Sequence, residues 1–327
     1  MSMEFTGITL VTGAAGFMGS HLVELLSDMG VQVRATARAR SDTSFFDRLG
    51  VEFIPADLTI PETLPPLFEG GVDRVFHMGA ICNFSTPYAK LYPVNVLGVE
   101  KVTALALEHS VKCYVHVGST SIYGHYRGEP FIEETIPNPA DSYGRSKHEG
   151  EKIVWKRFKE GLPAIVTRPC TVYGPRCNDG AGKAFSRPTN ISAIPGSGNQ
   201  LLSNIRAEDV AGAVYYLSHL DSAIGQAFNL ADDSHPSLEE ALVTAAKAFK
   251  TKPPRMHLPL ALVRIVARLE GIKAARNNKV PDLEYDAVNY LADDYIVDNS
   301  RLKAAGYKLI YPDFIDSVKQ LGQLQQG

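Results

Sequence analysis

Thr12-Gly13-Ala14-Ala15-Gly16-Phe17-Met18-Gly19-Ser20-His21-Leu22 decides how this chain is to be read. The stretch follows the apolar run that starts at Ile8 and opens a segment in which Met18, Leu22, Leu25 and Leu26 recur at helical spacing. A strand, three glycines spaced G-x-x-G-x-x-G and then a helix make the layout of a phosphate-binding turn. Gly13 allows the tight turn, Gly16 lets backbone approach a pyrophosphate, and Gly19 lets helix pack closely on strand. The helix N-terminus, with Phe17 and Met18 in its first turn, aims unpaired N–H groups and a partial positive charge at the phosphates. A plain strand–helix turn would use the same glycines, so the assignment leans on its surroundings.

Those surroundings repeat the pattern. Short apolar runs at Gln32–Ala37, Glu52–Pro55, Arg74–His77, Cys113–Ser119 and Ala164–Arg168 alternate with helix-period segments such as Val96, Val99, Val102 and Leu105. The alternation predicts an α/β fold with a doubly wound parallel (Rossmann) sheet. After Pro169 the texture changes to loops rich in Gly, Pro, Asn and Ser, a helix over Glu208–Leu220 and a strand over Ala227–Leu230. Ser237 with Glu240 three residues on reads as a capping box opening another helix. The pattern predicts a dinucleotide-binding unit over residues 1–172. A smaller, mixed substrate lobe follows over 173–327, with about 201–235 returning to the first unit.

Composition bounds the function. The 327 residues are 45% hydrophobic and 21% charged with a net charge of −3, and the isoelectric point is near 6.3. That balance offers no electrostatic footprint for a nucleic-acid backbone. The four cysteines, Cys82, Cys113, Cys170 and Cys177, show no C-x-x-C pair and no metal-ligand spacing, so a reduced, cytoplasmic chain without a metal is expected. No signal peptide and no integral membrane segment is expected either, because no apolar run reaches the ~20 residues a bilayer span needs. The most apolar helix candidate, Leu258–Leu269, carries Arg264 and Arg268.

The second strand speaks to the cofactor. Binders of NAD usually place an acid about 20 residues beyond the glycines, to accept hydrogen bonds from the ribose 2′-hydroxyl. Here that position is Ala37, followed by Arg38 and, close by, Arg40 and Ser41. A guanidinium would hold a 2′-phosphate that a carboxylate would repel, so NADP(H) is favoured over NAD(H). The alternative is an arginine that merely faces solvent. Asp57-Leu58, after the third strand, sits where an acid could bond the adenine amine.

Tyr143-Gly144-Arg145-Ser146-Lys147 puts a phenol and an ammonium on one helix face, about 5–6 Å apart at Cβ. A free phenol titrates near pH 10, and a neighbouring ammonium is expected to lower that value toward neutrality. Tyr143 could then pass a proton to a carbonyl or take one from an alcohol. Ser119, at the end of the Cys113–Ser119 strand, is the candidate hydroxyl to polarise the carbonyl. Alone, Y-x-x-x-K is a common surface-helix pattern; its weight comes from the order of phosphate loop, strand-end hydroxyl and this pair.

With these residues in this order the chain resembles the extended short-chain dehydrogenase/reductase family, also called the NAD-dependent epimerase/dehydratase family. The likeness runs through Thr12–Leu22, Asp57-Leu58, Val75–Ala80, Asn95, Ser119–Gly124, Tyr143–Lys147, Arg168-Pro169, Val172–Pro175, Ile194–Asn199 and Glu208–Ala211. It implies a catalytic triad of Ser119, Tyr143 and Lys147, with Asn95 maintaining a water-linked proton relay behind the lysine. It implies that Met78, Gly79 and Ala80 line the cofactor and that the backbone after Pro169, Cys170 to Val172, meets the nicotinamide carboxamide. Arg168 takes a structural role; for Asp209 the plain structural alternative is a salt bridge at a helix start. A homodimer through the helices around Val96–Glu108 and Ser146–Phe158 is the family's usual arrangement.

The family reduces or oxidises carbonyls, epimerises nucleotide sugars or dehydrates them. Dehydratases resembling this chain carry acids just after the serine, where this chain has Thr120 and Ser121, so dehydration is disfavoured. The second strand is similar to that of dihydroflavonol reductases. Pro253-Pro254-Arg255 with the apolar helix is similar to the 3β-hydroxysteroid dehydrogenase branch. The expectation is therefore a reductase, or reverse dehydrogenase, of a bulky, fairly apolar small molecule. An epimerase with tightly bound NAD is the runner-up, since Arg176, Lys183, Arg187 and Arg206 could hold a diphosphate. A non-catalytic NADP(H) sensor is a further alternative. For Leu258–Leu269, core packing, a lid and a membrane-surface element all stay open.

Overall fold

A computed structural model of the chain describes residues 6–178, 180–188, 193–277, 281 and 283–324. Its strands are β1 (Ile8–Thr12), β2 (Val33–Thr36), β3 (Glu52–Phe53), β4 (Val72–His77), β5 (Cys113–Val117), β6 (Ala164–Pro169), β7 (Thr171–Tyr173), β8 (Ala193–Pro195), β9 (Asn204–Arg206), β10 (Ala227–Leu230) and β11 (Met256–Leu258). Seven of them form one sheet in the order β3-β2-β1-β4-β5-β6-β10, and every pairing in it is parallel. This is the doubly wound Rossmann sheet that the alternating pattern predicted.

Both faces of the sheet are covered, which is why its strands read as continuous apolar runs rather than as alternating ones. On one face Val11, Phe76, Val115 and Ile165 pack with Leu22 and Leu26 of helix Phe17–Asp28 and with Val210, Val214 and Leu217 of helix Ala207–Leu217. On the other, Leu10, Val75, Tyr114 and Val166 meet Val99 and Val102 of helix Gly98–Glu108 and Val154 of helix Ser142–Lys159. The connections leave β1 and β4 toward opposite faces. A crevice therefore opens at the strands' C-terminal ends, where ligands of open α/β sheets bind.

The later chain adds two small parallel pairs, β7 with β9 and β8 with β11. A further core gathers Tyr173, Phe185, Leu238, Leu242, Phe314 and Leu321. The capping box is present: the Ser237 hydroxyl accepts from Glu240 N–H while the Glu240 carboxylate accepts from Ser237 N–H.

Three expectations are corrected. The helix expected over Leu258–Leu269 is two elements: Leu258 ends β11, and the helix runs Leu260–Arg276 after Pro259, whose carbonyl accepts from Leu262 N–H. The expected strand Cys113–Ser119 stops at Val117, and Ser119 instead caps a tight 3₁₀ turn over Thr120–Tyr123. Asp209 is tied down by neutral donors rather than by a cation. It accepts from Ile310 N–H, Tyr311 N–H and the Tyr307 hydroxyl, anchoring the C-terminal segment to helix Ala207–Leu217.

Candidate active site

The C-terminal ends of the central strands open into one cavity of about 1270 Å³. Its wall at one end is the loop of Gly13, Gly16, Phe17, Met18 and Gly19, joined by Met78, Gly79 and Ala80 after β4. Gly13 has φ +65°, and a Cβ there would lie 2.7 Å from the Gly79 backbone. At Gly19 a Cβ would lie 2.2 Å from the Gly13 carbonyl oxygen. With no Cβ at Gly13, Gly16 or Gly19, this cradle presents bare backbone and a helix N-terminus to the space a pyrophosphate needs. The residues present fit a dinucleotide.

At the end of β2, Arg38, Arg40 and Ser41 stand on the same wall, Arg38 exposed and Ala37 buried. β3 is short, but Ile54 and Ala56 still donate to Ala35 and Ala37, which carries Asp57 and Leu58 to the rim. The Asp57 carboxylate accepts from Thr59 N–H at 2.8 Å and from the Thr59 hydroxyl at 2.7 Å. These bonds, with Arg38 and Arg40 nearby, hold it below its ordinary pKa.

Ser119, Tyr143 and Lys147 share the middle of the wall. Asp141 caps helix Ser142–Lys159 by accepting from Gly144 N–H at 2.8 Å, setting Tyr143 and Lys147 on its first two turns. The Ser119 oxygen accepts from Ser121 N–H at 3.2 Å, lies 2.9 Å from the Ser121 hydroxyl, and hydrogen-bonds Tyr143. Burial pushes the Tyr143 phenol well above its usual pKa and outweighs the downward pull of the Ser119 bond. The lowering expected from Lys147 does not appear; desolvation sets the direction. Lys147 is itself buried, its ammonium donating to the Val117 carbonyl at 2.8 Å, and burial brings its pKa down to about 8.

Pro169, Cys170 and Val172 close the wall beyond β6. Of the residues expected from sequence, Asn95 is off the cavity wall. It sits in a π turn, Pro93–Leu97, inside what sequence spacing presented as an ordinary helix. Its side chain accepts from Ile81 N–H and donates to the Ile81 carbonyl and the Ser146 hydroxyl. Arg168 pairs with Glu151 through two bonds of 2.6 and 3.1 Å and also donates to the Tyr123 hydroxyl, locking β6 to helix Ser142–Lys159.

Four wall residues were not singled out for the site. Cys82 hydrogen-bonds Tyr143, and Phe84 packs edge-on against its ring. Tyr290 donates to Asp141, and Tyr295 donates to the Thr120 carbonyl at 2.8 Å. No local periodicity marks them, because they reach the site from distant segments. Conversely, two of the four cations available for a diphosphate lie off the cavity wall. Arg176 pairs with Glu24, and buried Arg206 with Glu208 and Ser317. Lys183 and Arg187 do line the cavity.

A ketoreductase of Stigmatella aurantiaca named for a 4-hydroxy-2-methyl-3-oxo-4-farnesyl-3,4-dihydroquinoline-1-oxide substrate is 26% identical, covering 98% of this chain and 98% of its own. An Arabidopsis thaliana 3beta-hydroxysteroid-dehydrogenase/decarboxylase is 26% identical, covering 93% of this chain and 76% of its own. Among solved structures, the UDP-glucose 4-epimerase of Thermus thermophilus in complex with NAD shares the fold. Its TM-score is 0.78 at 23% identity, covering 98% of this chain and 99% of that one. Residues 9–231 match the profile of the NAD dependent epimerase/dehydratase family. The chain belongs to the NAD-dependent epimerase/dehydratase family.

Proposed function

We propose that this chain is an NADPH-dependent reductase of a bulky, fairly apolar ketone, or the dehydrogenase of the matching alcohol. The observation that carries the reading is the continuity of the cavity. The cavity that bears Ser119, Tyr143 and Lys147 is also lined by Leu202, Leu238, Leu242, Val263, Leu283 and Leu291. The relatives named for a farnesyl-bearing ketone and a 3beta-hydroxysteroid support an apolar substrate.

In this reading Gly13, Gly16 and Gly19, with Phe17 and Met18, hold the pyrophosphate. Arg38 with Ser41 holds the 2′-phosphate, and Asp57 and Leu58 the adenine. Met78, Gly79 and Ala80 flank the dinucleotide, and Pro169, Cys170 and Val172 meet the carboxamide. Bound NADPH supplies hydride from the nicotinamide. The Ser119 hydroxyl, which receives Ser121 N–H and also meets the Ser121 hydroxyl and Tyr143, turns its proton to the substrate oxygen when a ketone is bound. The buried, protonated Tyr143 gives its proton to that oxygen as it becomes a hydroxyl. Lys147 hydrogen-bonds the ribose and stabilises the phenolate left behind. Asn95, bound to Ser146 and Ile81, orders the water path that returns the proton.

An epimerase with tightly bound NAD is favoured by one observation, Lys183 and Arg187 on the cavity wall. The sensor alternative is disfavoured because serine, tyrosine and lysine are all retained. Mass spectrometry of the native protein, reporting the co-purifying cofactor, combined with NADPH oxidation across a ketone panel, tests the proposal. Tyr143→Phe is expected to lose at least a hundredfold in kcat with NADPH binding spared, the usual weight of a general acid. Isomerisation of a UDP-sugar on retained NAD without net redox would overturn the reductase reading.

A further inference from the structure

Helix Leu260–Arg276 is apolar on two opposite sides. Its inner stripe, Val263, Ala267 and Ala274, is buried, and Val263 and Ala267 pack with Val288. Its outer stripe is Leu262, Ile265, Val266, Leu269 and Ile272, at i, i+3, i+4, i+7 and i+10, each between 45% and 62% exposed. Single exposed apolar side chains are ordinary, but five along one face of a 17-residue helix form a contiguous surface. Met256, in β11 just before the helix, is exposed as well.

Charge identifies what meets this face. From Lys247 to Lys279 the sequence has nine lysines and arginines against one acidic residue, Glu270, in a chain whose net charge is −3. Glu270 is engaged inward, accepting from Leu283 N–H. Arg268 flanks the outer stripe on one side, with Arg264 beside it half-buried and donating to the Asn289 side-chain carbonyl oxygen, and exposed Lys273 and Arg276 follow at the helix end. A second copy docking by two-fold symmetry would set this basic cluster against itself. Anionic lipid headgroups complement it, and the stripe reaches the acyl boundary beneath them.

We propose that helix Leu260–Arg276 seats the protein in the plane of an anionic membrane surface, its Leu262–Ile272 stripe in the lipid interface. The element lies on the bilayer rather than crossing it; among the described residues no helix is long and apolar enough to span. Val263, Val266 and Glu270 of the same helix also line the cavity, so seating brings the cavity's rim to the lipid surface. Delivery of an apolar ketone from the bilayer is a consequence that rests on the reductase reading; the docking does not.

The test is flotation of the full-length protein with vesicles of phosphatidylcholine, alone or with about a third phosphatidylglycerol. Wild type is expected to float with the anionic vesicles, and to be released as salt shortens the screening length to about 3 Å near 1 M. Ile265→Ser combined with Leu269→Ser is expected to cut binding at least tenfold while thermal midpoint and NADPH affinity stay unchanged. Arg264→Gln combined with Arg268→Gln should weaken binding to anionic vesicles only. The proposal is overturned if wild type does not float, or if the serine variant floats as well as wild type. It is also overturned if the serine change instead converts a sedimenting dimer to a monomer. Binding is read without cofactor or substrate, so failure of the reductase reading leaves it untouched.

Discussion

Replacing Lys147 by methionine should abolish turnover and yet make the protein more stable. The ammonium is buried, and its pKa falls from 10.5 to about 8, so burial disfavours the charged form by about 2.5 units. At about 1.4 kcal/mol per unit, the folded chain carries a penalty of about 3 kcal/mol at neutral pH. Methionine removes it but leaves the Val117 carbonyl without its donor, a loss of about 1–2 kcal/mol. The net expectation at pH 7 is a gain of about 1–2 kcal/mol. The sign of the pH dependence follows from linkage. Between pH 8 and 10.5 the unfolded chain keeps a proton that the native chain has released, so rising pH favours the native wild type. The variant's advantage is therefore full below pH 8, shrinks by about 2 kcal/mol by about pH 9.5, and is cancelled or reversed there. Guanidinium unfolding of both proteins at neutral pH and about pH 9.5 measures it, since other titrating groups cancel in the difference. A wild type more stable by 1 kcal/mol or more at pH 7, or a gap indifferent to pH, would refute the reasoning.

Arg38→Ala is expected to lower kcat/KM for NADPH by roughly ten- to a hundredfold, the worth of a charge-assisted pair, while leaving NADH unchanged. An unaltered NADPH/NADH ratio in steady-state kinetics would remove Arg38 from the site. Asp232 is buried, with one carboxylate oxygen unpartnered among the described residues, and burial pushes its pKa up to about 8. Its native carboxyl keeps a proton that the unfolded chain loses above about pH 4, so wild-type stability falls as pH rises toward 8. Calorimetry should find Asp232→Asn the more stable protein at pH 8, by a few kcal/mol, and the two nearly equal at pH 4. Equal melting at both values would contradict that account.

Much of the site was legible in sequence because its chemistry lies within single elements. Gly13 to Gly19 fall on one strand–helix turn, and Tyr143 with Lys147 on adjacent turns of one helix. Ser119 was legible as a strand-end hydroxyl, although the strand stops two residues earlier and the serine serves as a cap. Cys82, Phe84, Tyr290 and Tyr295 were not, since each enters from a segment that local spacing does not relate to the site. The π turn that holds Asn95 was hidden because its apolar spacing matches an ordinary helix to within one residue.

The phosphate-binding turn shows where the division falls. By itself the sequence determined the α/β class, the glycine cradle, the absence of an acid at Ala37 and the pairing of Tyr143 with Lys147. These follow from the two- and 3.6-residue side-chain periods and from backbone sterics, which act within a dozen residues. The tertiary structure alone decided that Arg38 faces the cavity while Arg206 is buried against Glu208 and Ser317. It also decided that burial rather than Lys147 governs the Tyr143 phenol, and that helix Leu260–Arg276 turns its outer stripe outward. Desolvation and exposure depend on which distant segments pack over a side chain, and that is settled only when the sheet, its helices and the later lobe come together.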